Sequence, residues 1–427
     1  MAAKRAPKVQ VSLAERQRLV QRNFLTRQRS VAKEAEPTSA FAQGMVYIPC
    51  IYQQYVLGWA GYALSKILQI GGMYGAGKTS RMMYLARQFY EAGGLVYPVD
   101  LEHAMNQSLI SAYMGPEYAE MFDYAVVRPE GLESGFLEIQ EILTKKMKQD
   151  DPDDIVPKLI LFDTIGGGSR DDSKIGDTKQ VGGTSGLVTE FVNSVVPMLS
   201  GTRALLCIGN QLRDKIAIGG GPAAGNIPWY KKINMPGGHA LEHDSYYLEF
   251  WKQRSVHRSK EDSVRATGHS ADMVMIKNKA DSPYRFYEVN VWYDGRGMDF
   301  TEPGLAWLYA GGKAGVERKK SSSYVYWSDV LGIPESSAMV DTEFWKAVNS
   351  VEVAPILHRI FGIKFPSANL YLPPSHESLV YEPWSPPVSQ SVPEEDATQE
   401  EAPEPKPGRQ PKRECPVPDP VPETQPE

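Results

Sequence analysis

The run Gly71-Gly-Met-Tyr-Gly-Ala-Gly-Lys-Thr-Ser80 limits what this chain can fold into more than any other segment. Residues Gly72 to Thr79 fit the pattern G-x-x-x-x-G-K-[ST]. A β-like stretch, Leu64 to Ile70, precedes it, and Met82, Leu85, Ala86 and Phe89 follow at helical spacing. Glycines packed between a strand and a helix let backbone N–H groups converge on an anion at the helix start. The feature therefore demands a βαβ unit, with Gly93-Gly94 stopping the helix and Leu95 to Asp100 forming the next buried strand.

Further apolar runs at Tyr124 to Arg128, Lys158 to Asp163 and Arg203 to Gly209 read as buried strands, with helical stretches at Leu132 to Lys148 and Leu187 to Leu199. Such alternation predicts an α/β fold whose central sheet is mostly parallel and covered by helices. Ser245 to Trp251, Met273 to Lys277 and Phe286 to Tyr293 would extend that sheet at one edge. The expected organisation is a basic arm over residues 1–43, a core over 44–301, a small C-terminal α/β domain over 302–371 and a disordered tail over 372–427. Thr342 to Phe361 is the best helix of the small domain. The tail is Pro-rich and acidic, too poor in apolar surface to fold.

Charge is segregated along the chain. Residues 1–35 carry nine Lys/Arg against two Glu, and residues 382–427 carry eleven Asp/Glu against four Lys/Arg, within a net charge of −6. Any nucleic-acid contact must then come from local loops or from the arm. Residues 12–34 form an amphipathic helix by pattern, with Leu13, Val20 and Phe24 on one side; it reads as a solvated arm, a subunit-docking element or a DNA-binding tail. Three cysteines without paired spacing argue for a reducing compartment, and no export signal or membrane span is expected.

Within the glycine loop, Met73, Tyr74, Gly75, Ala76, Gly77 and Ser80 line the phosphates, Lys78 brings an ammonium to the β/γ oxygens, and Thr79 offers a hydroxyl to Mg²⁺. Asp163, ending the apolar strand Leu159-Ile-Leu-Phe-Asp, is the second expected metal group, through water; a turn-starting aspartate is the plainer alternative. Hydrolysis also needs a group to orient and deprotonate water. Asp100 and Glu102 end the strand beside the loop, and Glu102 is the candidate base, unless both merely cap the next helix.

Taken together, these segments resemble the RecA-type recombinases, from about Tyr55 to Phe300. Val99-Asp-Leu-Glu-His-Ala-Met105 resembles the family's Asp-x-Glu-His-Ala segment, which implies that Glu102 is catalytic. Ile208-Gly-Asn-Gln-Leu-Arg213 is similar to the segment whose glutamine senses the γ-phosphate, here Gln211. Pro236-Gly-Gly-His-Ala-Leu241 matches the segment that closes the second DNA loop. Ile276-Lys-Asn-Lys279 matches the element whose lysines, here Lys277 and Lys279, reach a neighbouring subunit's ATP, and Tyr293-Asp-Gly-x-Gly-x-x-Phe300 matches the segment whose tyrosine lies near adenine.

The resemblance implies a RecA-like P-loop NTPase core that uses ATP and Mg²⁺, a DNA-dependent ATPase forming helical filaments on single-stranded DNA, pairing it with duplex DNA and exchanging strands. Single-strand-binding and mediator proteins are the accessory partners it allows. DNA would be held by two loops, with Arg170, Lys174 and Lys179 in the first and Arg213, Lys215, Trp229, Tyr230, Lys231 and Lys232 in the second. Departures from the family pattern at Asn106 and Leu109, and a longer second loop, mark a divergent member of bacteriophage type acting in the host cytoplasm. Two other readings stand beside it: a RecA-fold ring helicase or translocase, and a non-catalytic nucleotide-sensing regulator.

Overall fold

Strands buried on both faces must be apolar at successive positions, and the sheet at the centre of this protein meets that condition. The computed structural model describes residues 43–166, 183–214, 228–320, 323–366 and 369–381. Its largest sheet contains β1 (Lys66–Gly72), β2 (Leu95–Asp100), β3 (Lys158–Asp163), β4 (Ala204–Gln211), β5 (Tyr247–Arg258), β6 (Ala266–Asn278), β7 (Phe286–Trp292) and β8 (Gly297–Asp299), in the order β8-β7-β6-β5-β1-β4-β3-β2. From β2 to β5 all neighbours are parallel. The β5–β8 ladders are antiparallel and extend one edge, as the sequence pattern predicts.

Alternate residues feed two separate cores. Leu159 and Leu161 of β3, with Leu205 and Cys207 of β4, join Leu68, Ile70 and the apolar side of helix α1 (Lys78–Glu91). Ile160, Phe162, Leu206 and Ile208 face the other way, against Phe136 of α3 (Leu132–Glu141) and Val188, Phe191 and Val192 of α4 (Gly183–Leu199). Helix α1 is also pinned from behind by a buried charge pair, Arg81 with Glu249 of β5 at 3.1 Å, and Trp251 donates its indole N–H to the same carboxylate. Removing one partner of such a pair strands the other in the core. Among the described residues no helix is long and apolar enough to cross a membrane.

Three expectations need correction. Tyr124 to Arg128 is no strand: helix α2 (Gln107–Ala125) runs through its start and only Val127 bridges Val99 of β2. A run of four apolar residues fits a helix end as well as a strand. The helix expected over Thr342 to Phe361 is two, Asp341–Val348 and Ala354–Phe361, because Asn349 turns its side chain back onto Trp345 O and Pro355 starts the second helix. The tail expected from residue 372 on does not begin there. Leu370–Tyr371 pairs in parallel with Met45–Tyr47, Leu379 is buried and Tyr381 stacks on Phe365 at 4.7 Å.

Residues 302–371 share one hydrophobic core with the central sheet: Phe344, Val348 and Leu357 lie in the same cluster as Val46, Leu68 and Met82. The basic arm of residues 1–42 and the acidic stretch of 382–427 lie outside the described residues.

Candidate functional site

All the acidic and amide groups singled out above stand at the carboxyl ends of the parallel strands, where open α/β sheets bind their ligands. Register fixes their order: Gly72 of β1 pairs with Gln211 of β4, and Asp100 of β2 pairs with Asp163 of β3. The glycine loop leaves β1 at Gly72 and enters α1 at Lys78. Gly77 has φ +89°, a left-handed conformation that a β-carbon resists. A β-carbon on Gly72 would lie 2.4 Å from Lys78 Cγ, so the lysine stem folds directly over the strand end. Tyr74 at the loop tip is 99% exposed, while Ala76 is buried.

Thr79 and Asp163 meet. The Thr79 hydroxyl donates to Asp163 Oδ2 at 2.6 Å, and Asp163 Oδ1 is buried with no hydrogen-bond partner. Burial raises the Asp163 carboxyl to about 6; the Thr79 hydrogen bond opposes that rise and the neighbouring Glu102 adds to it. A buried, unpartnered carboxylate oxygen beside a hydroxyl at a phosphate loop is a donor set that fits Mg²⁺, a hard cation that takes oxygen ligands.

Glu102 and Gln211 also meet. Gln211 donates from Nε2 to Glu102 Oε1 at 2.8 Å, and the Glu102 backbone N–H bonds Asp163 O at 3.2 Å. Asp100 takes a different part: its carboxylate accepts from the backbone of Ala104 and Met105, tying down the turn that carries Glu102. The preceding residue of β4, Asn210, donates to Pro236 O at 2.8 Å. Adjacent side chains of one strand thus hold Glu102 and the start of the Pro236-Gly-Gly segment. Leu212 N–H bonds Gly72 O at 3.0 Å, which joins the second loop to the glycine loop through main chain as well.

The second loop has a defined stem. Arg213–Asp214 pairs with Ile233–Asn234, and Leu212 and Ile233 form a small apolar cluster with Leu248 and Phe250. Trp229 and Tyr230, expected to stack on bases, are half-buried against that cluster, and Tyr230 stacks on Tyr284 at 5.9 Å. Arg213, Lys231 and Lys232 are exposed. Arg170, Lys174, Lys179 and Lys215 lie outside the described residues.

Lys277 and Lys279 end β6 away from these groups. Lys277 Nζ donates to the carbonyls of Glu242 and His243 at 2.7 and 2.6 Å, and Lys279 Nζ to His243 O at 3.1 Å. These carbonyls belong to the helix His239–Asp244, which follows the Pro236-Gly-Gly segment.

Tyr293 follows β7 and is 57% exposed, with its hydroxyl 2.8 Å from Nδ1 of His269. Nothing in the residue pattern singles out His269. It is a lone histidine in β6, and only the fold places it beneath the glycine loop, its Nε2 3.4 Å from where a β-carbon on Gly77 would be.

Sequence comparison decides the family, since the RecA N-terminal domain family matches residues 49–299. The chain belongs to the RecA family. It is similar to Protein RecA of Nocardioides sp. (strain ATCC BAA-499 / JS614), 25% identical over 290 residues that cover 66% of this chain and 73% of that protein. Against Protein RecA of Tropheryma whipplei (strain Twist) the identity is 26% over 293 residues, covering 66% of this chain and 59% of the relative. Protein RecA of Borrelia turicatae (strain 91E135) is 27% identical over 288 residues, covering 66% and 71%. Among solved structures, a RadB recombinase crystal structure aligns at 14% identity with a TM-score of 0.39, covering 58% of this chain and 95% of that one. The RecA-family match carries a recombinase role in general terms.

Proposed function

We propose that this RecA-family chain is a DNA-dependent ATPase that assembles into helical filaments on single-stranded DNA, pairs that strand with homologous duplex and exchanges strands. The observation that carries the reading is the pair of contacts from β4, Gln211 to Glu102 and Asn210 to Pro236. A γ-phosphate arriving in the glycine loop competes for the Gln211 amide, and any shift of that strand end is felt at the base of the second loop. Nucleotide state and DNA contact are thereby coupled through one short strand end.

In this reading Lys78 holds the β/γ oxygens and Glu102 orients the attacking water and accepts its proton. Thr79 and, through water, Asp163 would hold Mg²⁺, which supplies charge neutralisation on the phosphates when bound. Lys277 and Lys279 act on the nucleotide of the adjacent subunit, leaving the Glu242 and His243 carbonyls to do so. Head-to-tail contacts of this kind propagate as an open helix unless their rotation closes a ring. Arg213, Lys231 and Lys232 contact the DNA backbone, as Arg170, Lys174, Lys179 and Lys215 do in the same reading. Residues 1–43 dock on a neighbour, and the acidic tail restrains access of duplex DNA.

Electron microscopy of the protein with single-stranded DNA and a slowly hydrolysed ATP analogue tests this. Helical filaments that exchange strands with homologous duplex are expected; closed rings that unwind duplex would overturn the reading in favour of a ring motor.

A further inference from the structure

In the central sheet β3 lies between β4 and β2, so the contact from Gln211 to Glu102 spans the end of β3. The chain leaving β3 there runs through Thr164, Ile165 and Gly166. Ile165 stays beside β4, its N–H bonding Gly209 O at 3.1 Å and its side chain buried with Val188 of α4. Gly166 then lies against Gln211. A β-carbon on Gly166 would stand 2.9 Å from Gln211 Cβ and 3.2 Å from both its Cγ and its backbone nitrogen. Carbon atoms pack at roughly 3.5 Å or more, and turning the glutamine to another rotamer moves Cγ but neither of the other two atoms. The φ of Gly166 is outside the left-handed region, so contact with Gln211, and not backbone conformation, calls for glycine here.

The same crossing brings the ends of both loops together. Gly166 precedes the cations of the first loop and Ser185 follows them; Gln211 precedes those of the second, and Pro236-Gly-Gly238 follows. Besides the approach of Gly166 to Gln211, a β-carbon on Gly237 would be 3.6 Å from Ile165 Cγ2, and one on Gly238 would be 3.3 Å from Ser185 Cβ. Asn210 ties Pro236 to β4 in addition. Groups packed this closely transmit a displacement instead of absorbing it.

We infer that Gly166 is a positioning residue: bearing no side chain, it lets Gln211 reach Glu102, and it joins the stem of the first loop to the amide that serves the second. The inference rests on the proposed reading of Gln211 as the link between nucleotide and DNA. It adds that the two loops act on Glu102 as one unit, through a contact at the end of β3.

The test is ATP hydrolysis by the full-length protein with and without single-stranded DNA, together with calorimetric ATP binding in Mg²⁺ buffer. Gly166→Ala should lose about fivefold or more of the stimulation by DNA, with ATP affinity within about twofold of wild type, because Gly72 to Thr79 is untouched. Stimulation equal to that of wild type would overturn the inference. Combination with Gln211→Ala separates positioning from a general loosening of the loop. Once the amide is gone, the added methyl should change DNA-stimulated turnover by less than about twofold, and effects that multiply would refute the role. If Gly166→Ala does not fold, pairing it with Gln211→Gly, which removes the Cβ that the methyl meets, should restore folding; a pair that stays unfolded would refute it too. Wild-type turnover that DNA does not stimulate would instead refute the proposed function itself.

Discussion

The phosphate end and the lysine end of the site are built in opposite ways. At the phosphate end the contacts close within one chain: Thr79 on Asp163, Gln211 on Glu102, and the Glu102 backbone on the Asp163 carbonyl. At the lysine end Lys277 and Lys279 spend their donors on main-chain carbonyls of Glu242 and His243, and neither is bonded to the glycine loop of its own chain among the described residues. One end is preassembled, and on the reading proposed here the other is completed only by a neighbour. Regulation would enter at the lysine end, because a group resting on helix carbonyls must be exchanged from them before it can act on a phosphate.

The preassembled end should respond most strongly to substitution. Glu102→Gln should lower kcat for ATP by about 10²- to 10³-fold with little change in KM, since it removes a base but leaves an amide oxygen for Gln211 to bond. Steady-state hydrolysis at saturating single-stranded DNA measures it; turnover near wild type would return the chain to the non-catalytic reading.

Next comes the other end. Lys277→Ala should lower DNA-stimulated turnover by roughly 10- to 100-fold, a smaller loss than a transferred arginine finger gives because Lys279 remains. Mixing it with Lys78→Ala chains should restore part of the activity, each supplying what the other lacks. Failure of the mixture to recover would show that the lysines do not act across an interface.

Asn210→Ala should reduce the stimulation by single-stranded DNA about three- to tenfold, by freeing Pro236 from β4. A turnover series with and without DNA would show it.

Stability should change least. Folded Asp163 holds its proton to about pH 6, whereas its ordinary value is 3.8. The native state therefore binds more protons between those values, so this group's contribution falls as pH rises through the window and is level above it. Asp163→Asn, which never ionises, should raise the nucleotide-free Tm near neutral pH by up to several degrees, corresponding to ~2 kcal/mol or less, and the gain should vanish near pH 4. Thermal melts across that range check the sign.

Much of the fold was legible because β3 and β4 are buried on both faces and show continuous apolar runs, which length and flanking turns identify as strands. The gathering of acidic and amide groups was legible too, since Asp163 and Gln211 stand where apolar runs end, Glu102 just beyond one, and strand ends converge. What was hidden depends on tertiary placement. Nothing in the alternation of β6 marks that His269 lies beneath the loop, and a Lys-Asn-Lys triplet gives no hint that its ammonium groups sit on the carbonyls of a helix. Trp229 and Tyr230 looked free to meet bases, yet the cluster of Leu212, Ile233 and Phe250 gives them an apolar bed, because that part of the loop returns over β5.

In the function proposed here, nucleotide turnover and DNA contact are linked through the end of β4. The most direct test is ATP hydrolysis by the purified full-length protein with and without single-stranded DNA, over a range of protein concentrations, with Lys78→Ala as the background. Strong stimulation that rises cooperatively with protein concentration is expected, as sites completed by neighbours require. Turnover indifferent to DNA and linear in protein concentration would contradict it.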